Sequence, residues 1–144
     1  MAGKRIMALD VGDARIGIAL SDEGGMLAFP HGVVYRKEGS PAERIAELAI
    51  RENIAVLIVG LPKNMDGTVG PQARKAQTFA QTIAALEPDL KIIFWDERLT
   101  TVQALNLRRD SGASKKKRST PIDAAAAAVL LQSYLDNCRQ KHNG

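Results

Sequence analysis

A single cysteine, Cys138, among 144 residues leaves no partner for an internal disulfide. With that thiol and only His31 and His142 there is no zinc set, so a resident metal would be a hard, oxygen-ligated one. No uninterrupted apolar run approaches the roughly eighteen residues of a membrane span. The N-terminus passes from Lys4-Arg5 straight into a short strand-like run, without a cleavable apolar segment. These absences predict a soluble, cytoplasmic protein with no membrane partner. Aromatics are only 4% of the chain, and Phe79, Phe94 and Trp95 each sit within an apolar pattern, so they read as core rather than as platforms for stacked bases. There is no internal repeat or interdomain linker either. The expectation is one domain over residues 1–138 and a short frayed tail over 139–144.

What is there begins with 45% hydrophobic residues, enough for one core at this length. Twenty Lys plus Arg against sixteen Asp plus Glu leave a net charge of +4, which inclines the surface toward polyanions or simply marks an ordinary basic protein. Distribution says more than the total. Arg108, Arg109, Lys115, Lys116, Lys117 and Arg118 form one basic stretch interrupted by Ser111-Gly-Ala-Ser114, which reads as a solvated loop.

Arg5–Leu9 is an apolar run, Val11–Arg15 a turn and Ile16–Ser21 a second strand, together a β-hairpin. Asp22–Gly25 turns the chain into a third strand over Met26–Tyr35, irregular around Pro30. Ser40-Pro41-Ala42-Glu43 has the spacing of a capping box that opens a helix. Ala55–Val59, nearly all apolar, predicts a central strand covered on both faces. A helix follows from about Pro71 to Leu86, then a strand over Lys91–Trp95, a helix from Thr100 or Thr101 to about Arg109, and a last helix from Thr120-Pro121 through Leu135. The alanine run Ala124–Ala128 permits close approach of that helix to a sheet. This order predicts an α/β fold: a mixed five-stranded sheet, the first three strands antiparallel, with helices on its faces.

Three carboxylates stand at the tips or starts of these elements: Asp10 after the first strand, Glu97 after the fifth and Asp123 at the last helix. If the fold gathers them, their oxygens suit Mg²⁺ or Mn²⁺ and the chemistry of phosphodiester cleavage. Each has a plainer reading. Asp10 could serve turn chemistry, and Asp123 falls where an acid caps a helix and meets its dipole. Asp96 and Glu97 point to opposite sides of an extended segment, so one of the two can face a given metal; Glu97 is the choice and Asp96 the alternative. Gly60-Leu-Pro-Lys-Asn64 and Gly67-Thr-Val-Gly70 frame a loop leading into a helix N-terminus, where exposed amides could bind phosphate; it is no Walker A motif, and the plainer reading is a flexible connection with a glycine-rich cap. Lys63, Arg74, Arg98 and the 115–118 cluster are the candidate contacts to a nucleic-acid backbone, with Lys75 beside them.

Four blocks in order, Leu9-Asp-Val-Gly-Asp-Ala-Arg-Ile-Gly-Ile-Ala19, Val59-Gly-Leu-Pro-Lys-Asn-Met-Asp-Gly67, Asp96-Glu-Arg-Leu-Thr-Thr101 and Asp123-Ala-Ala-Ala126, resemble the YqgF (RuvX) family over about residues 5 to 136. The resemblance implies a ribonuclease H-like fold related to the RuvC Holliday-junction resolvases. It implies a metal-dependent nuclease acting in 5′-end maturation of pre-16S ribosomal RNA, with a ribosomal precursor particle as partner and junction resolution on branched DNA as the alternative. Carried over residue by residue, its acidic site is Asp10, Glu97 and Asp123, holding two divalent ions about 4 Å apart. One departure stands out: the fourth strand ends in Gly60-Leu-Pro62, without the carboxylate that related resolvases often carry there. Either Glu97 substitutes from the neighbouring strand or metal binding is weak. A resolvase would work as a homodimer, whereas the RNA nuclease could be a monomer or a homodimer. Two other readings are a noncatalytic RNA-binding ribosome-assembly factor and, last, an ATP-binding protein of the actin-like kind, whose usual two-domain cleft needs a longer chain.

Overall fold

The computed structural model describes residues 5–97 and 120–143. Strands β1 (Arg5–Val11), β2 (Arg15–Ser21) and β3 (Ala28–Tyr35) form an antiparallel meander. Strands β4 (Ile54–Leu61) and β5 (Lys91–Asp96) add in parallel on the other side of β1, giving the order β3-β2-β1-β4-β5. The mixed sheet expected from the pattern is present. The third strand starts at Ala28 and is irregular where Pro30, lacking an amide proton, pairs with Ala19 at a register shift.

Each turn has a local cause. The Gly12 amide donates to the Arg15 carbonyl at 2.9 Å, and a Cβ on Gly12 would lie 2.8 Å from that same oxygen, so the hairpin requires glycine there. Helix α1 (Pro41–Arg51) begins where the capping box put it, but Ser40 adopts φ 49°, ψ 49° and its hydroxyl caps nothing. Proline at the first position and Glu43 in the first turn remain as the start signals. Helix α2 (Pro71–Leu86) follows β4. Helix α3 runs from Thr120 to Asn143, so Arg139–Asn143 continue a helix where a frayed tail was expected. The helix expected near 100–109 and the basic loop lie outside the described residues.

The sheet is covered on both faces. On one, Met7, Leu9, Ile16, Ile18, Leu57 and Val59 pack against Ile45, Leu48, Phe79 and Ile83 of α1 and α2. On the other, Ala8, Ala19 and Ile58 meet Ala126, Ala127, Leu130, Leu131 and Leu135 of α3. Small side chains on both partners bring α3 close to the sheet, as its alanine run predicts. β4 is interior, with Leu57, Ile58 and Val59 fully buried, as its unbroken apolar run requires. No helix among the described residues is long and apolar enough to cross a membrane.

Candidate metal and nucleic-acid site

Side-chain alternation assigns each acid to a face. Ala8 belongs to the α3-side core, so Asp10, two residues on, points to the same side, at the carboxyl end of β1. Trp95 also belongs to that side. Its indole stacks edge-on to Tyr134 at 5.5 Å and its Nε1 donates to Ser133 Oγ at 3.3 Å. Glu97, two residues beyond Trp95, shares that side. Ile92 packs into the opposite core, which places Asp96 on the α1/α2 face. The structure thus separates the adjacent acids and sets Glu97 on the same face as Asp10.

Gly60 makes the juxtaposition tight. It pairs with Trp95 across the β4–β5 ladder and follows Val59, which pairs with Leu9 of β1. A Cβ built on Gly60 would lie 2.5 Å from Glu97 Oε2 and 3.1 Å from Glu97 Cδ and Cγ. The Glu97 carboxylate therefore reaches back from β5 over the end of β4, toward the neighbouring strand that carries Asp10. The strand end that lacks an acid is where an acid from the next strand lies. Both are buried, Asp10 at 4% and Glu97 at 1% exposure, and with Ser21 they are the buried polar side chains among the described residues.

Asp123 lies in the first turn of α3, and its side chain is outside the described residues. Gln132 Nε2 donates to the Met26 carbonyl at 3.0 Å, its Oε1 accepts from the Ala28 amide at 2.9 Å, and Arg139 Nη1 donates to the Met26 carbonyl at 3.4 Å. These contacts pin the later part of α3 to the end of the meander away from the Gly12 turn. The preceding turns run back toward the end with Asp10. No group of three His, Cys, Asp or Glu gathers among the described residues.

As a donor set, Asp10 and Glu97 fit a hard divalent cation. Both offer carboxylate oxygens, both are buried on one face, and among the described residues no group of Cys or His joins them.

Around the same end of the sheet, the β4–α2 loop is bonded to itself. The amides of Lys63, Asn64 and Gly67 donate to the carbonyls of Leu61, Thr68 and Asn64, and the Thr68 amide and hydroxyl donate to Asp66 Oδ1. The expected phosphate cradle is therefore not built from these four amides, because each already has a protein acceptor. Lys63 is partly exposed on this loop, and Arg74 on α2 donates to the Val69 carbonyl at 3.4 Å. Lys75 instead binds Asp13 of the β1–β2 turn at 3.0 Å, with Gln72 3.3 Å from the other carboxylate oxygen. The Lys75 hydrogen bond, then that of Gln72, holds the Asp13 carboxyl below its ordinary value. Arg98, Lys115, Lys116, Lys117 and Arg118 lie outside the described residues.

Sequence reading overlooked Arg36, which ties the turn after Asp10 to α2. Its Nε donates to the Gly12 carbonyl at 2.9 Å and its guanidinium lies 5.1 Å from the centre of the Phe79 ring. A lone arginine after a strand carries no sequence signal for such a role.

Residues 4–137 match the family model described as "RuvX: Holliday junction resolvase". A protein of Mesorhizobium japonicum named "Putative pre-16S rRNA nuclease" is 43% identical over 135 residues, covering 93% of this chain and 81% of that protein. One of the same name from Halothermothrix orenii is 42% identical over 140 residues, covering 96% and 99%. Among solved structures, RuvC of Thermus thermophilus in complex with a Holliday junction substrate aligns with a TM-score of 0.55 at 17% identity, covering 94% of this chain and 96% of that one. At that identity the likeness establishes the ribonuclease H-like fold.

Proposed function

Because the chain belongs to the RuvX family, we propose that it is a divalent-metal-dependent endonuclease that hydrolyses phosphodiester bonds in 5′-end maturation of pre-16S ribosomal RNA. Nuclease-named relatives over nearly the whole chain support the reaction class and a nucleic-acid substrate. The observation that carries the site is the Glu97 carboxylate lying over Gly60 on the face that holds Asp10.

Asp10 and Glu97, joined by Asp123 from α3, would hold Mg²⁺ or Mn²⁺. When bound, the metal supplies activation of a water and stabilisation of the leaving oxygen. The protein's part is to present the buried oxygens of Asp10 and Glu97 from two neighbouring strand ends, so that little reorganisation accompanies reaction. Lys63 and Arg74 would hold the substrate backbone from the loop and α2, with Arg98 and the 115–118 cluster beyond the described residues. Contacts of this kind predict binding that weakens steeply with salt. The reading places the protein in the cytoplasm with a ribosomal precursor particle as its partner.

The Holliday-junction resolvases that give the matching family its description favour a second reading, a resolvase acting on four-way DNA junctions as a homodimer. One experiment separates the two. Wild type, Asp10→Asn and Glu97→Gln are incubated with labelled pre-16S RNA and with a four-way DNA junction, in Mn²⁺, Mg²⁺ or chelator. Metal-dependent cutting of the RNA that both substitutions abolish is the expected result. Cutting of the junction alone would replace it with the resolvase. Binding without cutting, unchanged in Asp10→Asn, would identify a noncatalytic assembly factor.

A further inference from the structure

We propose that Arg36 is a phosphate-binding residue, a guanidinium fixed in advance at the end of the sheet that carries Asp10 to hold the substrate backbone. The inference rests on the nucleic-acid reading above and adds a contact to it. Arg36 directly follows β3, whose last residue Tyr35 pairs with Arg15, so it emerges at the end of the sheet that carries Asp10. Its amide donates to the Ala14 carbonyl at 3.0 Å and its Nε to the Gly12 carbonyl at 2.9 Å, while Phe79, itself buried, supports the guanidinium plane. Backbone, Nε and ring face together hold a side chain that would otherwise carry large rotamer entropy.

These contacts use Nε and one face of the plane. The two terminal nitrogens have no protein acceptor among the described residues, and the side chain remains partly exposed. Other described cations are engaged differently: Lys75 with Asp13, Arg44 with Glu38, Arg5 with Glu52 and Arg139 with Asp136. Asp13 feels the charge of Arg36, but its two oxygens are bonded by Lys75 and Gln72. What remains is a planar fork with a fixed orientation, the geometry that suits two oxygens of a phosphodiester. The guanidinium lies at the same end of the sheet as Asp10 but over Phe79, on the α1/α2 face, so the fork is placed for a backbone phosphate on the other side of the sheet end from the acidic pair.

The test measures the affinity of wild type, Arg36→Gln and Arg36→Lys for labelled pre-16S RNA and a four-way junction, in chelator, over a range of salt. Arg36→Gln is expected to lower the slope of log affinity against log salt by about one while keeping a folded melting transition. Arg36→Lys is expected to keep the slope and lose part of the affinity, since the charge stays and the fork goes. A lower melting temperature with an unchanged slope would mark a purely structural arginine and overturn the proposal. A wild type that binds neither nucleic acid would overturn the nucleic-acid reading itself. On the wild-type protein, side-chain ¹⁵N resonances of Arg36 should shift when RNA is added; no shift in a bound complex overturns the inference even if Arg36→Gln fails to fold.

Discussion

The carboxylate of Glu97 occupies the space a side chain at Gly60 would need, 2.5 Å from the position of its Cβ. An acid at the end of β5 thereby serves the end of β4, and glycine at 60 is a condition of that arrangement rather than of backbone conformation. Gly60→Ala must push Glu97 aside. The displaced atoms are the far end of a flexible side chain, so the fold should lose no more than about 2 kcal/mol. Activity should fall roughly a hundredfold, because about an ångström of misplacement at a reacting centre is costly. Combined with Glu97→Gln, the second substitution should add almost nothing, and cleavage rates of the single and double variants check this.

Metal binding should be visible without catalysis. Two buried carboxylates on one face gain a compensating charge only in the folded protein, so Mn²⁺ at a hundred times its Kd should raise stability by about 2.7 kcal/mol. Asp10→Asn and Glu97→Gln should each abolish most of that shift. Thermal melts with and without chelator measure it.

The contact between α3 and the sheet depends on small residues, with Ala126 and Ala127 fully buried against Ala8 and Ala19. Ala127→Leu should cost about 1–3 kcal/mol in urea unfolding, since a close-packed contact has no room for the added atoms. The helix carries Asp123 in its first turn, so cleavage should fall along with stability.

Asp13 gives an acid-side signature. Its folded pKa is lowered, chiefly by the Lys75 hydrogen bond, so its contribution to stability is present above the ordinary carboxylate value of 3.8 and is lost as pH falls through the lower folded value. The pair is exposed and the effect small. Lys75→Met should weaken the protein slightly at neutral pH and leave it unchanged at the acid end, where Asp13 is protonated in both proteins. Urea midpoints across pH 2 to 7 test the difference.

Local pattern was enough for the elements. Ala55–Val59 is apolar throughout and became an interior strand covered on both faces; Lys91–Trp95 and the helix from Pro71 were equally legible, because burial periodicity and proline signals act over a few residues. Ser40 misled, since the spacing of a capping box does not specify the backbone angles its serine adopts. The loop framed by Gly60 and Gly70 holds a second detail that spacing does not carry. Asp66, Asn64 and Thr68 bond within the loop, and nothing in the glycine spacing distinguishes amides consumed at home from amides left for a phosphate.

The sequence by itself determined that this would be a mixed α/β protein with hard acids at element ends. Those properties follow from composition and from short-range alternation. Only the tertiary structure decided that Glu97 rather than Asp96 shares a face with Asp10, that Gly60 makes room for it, and that Arg36 braces the turn between β1 and β2. Each depends on which strands lie side by side and on the pleat of the neighbour. That order, β3-β2-β1-β4-β5, is set by packing over the whole sheet and by no local run of residues.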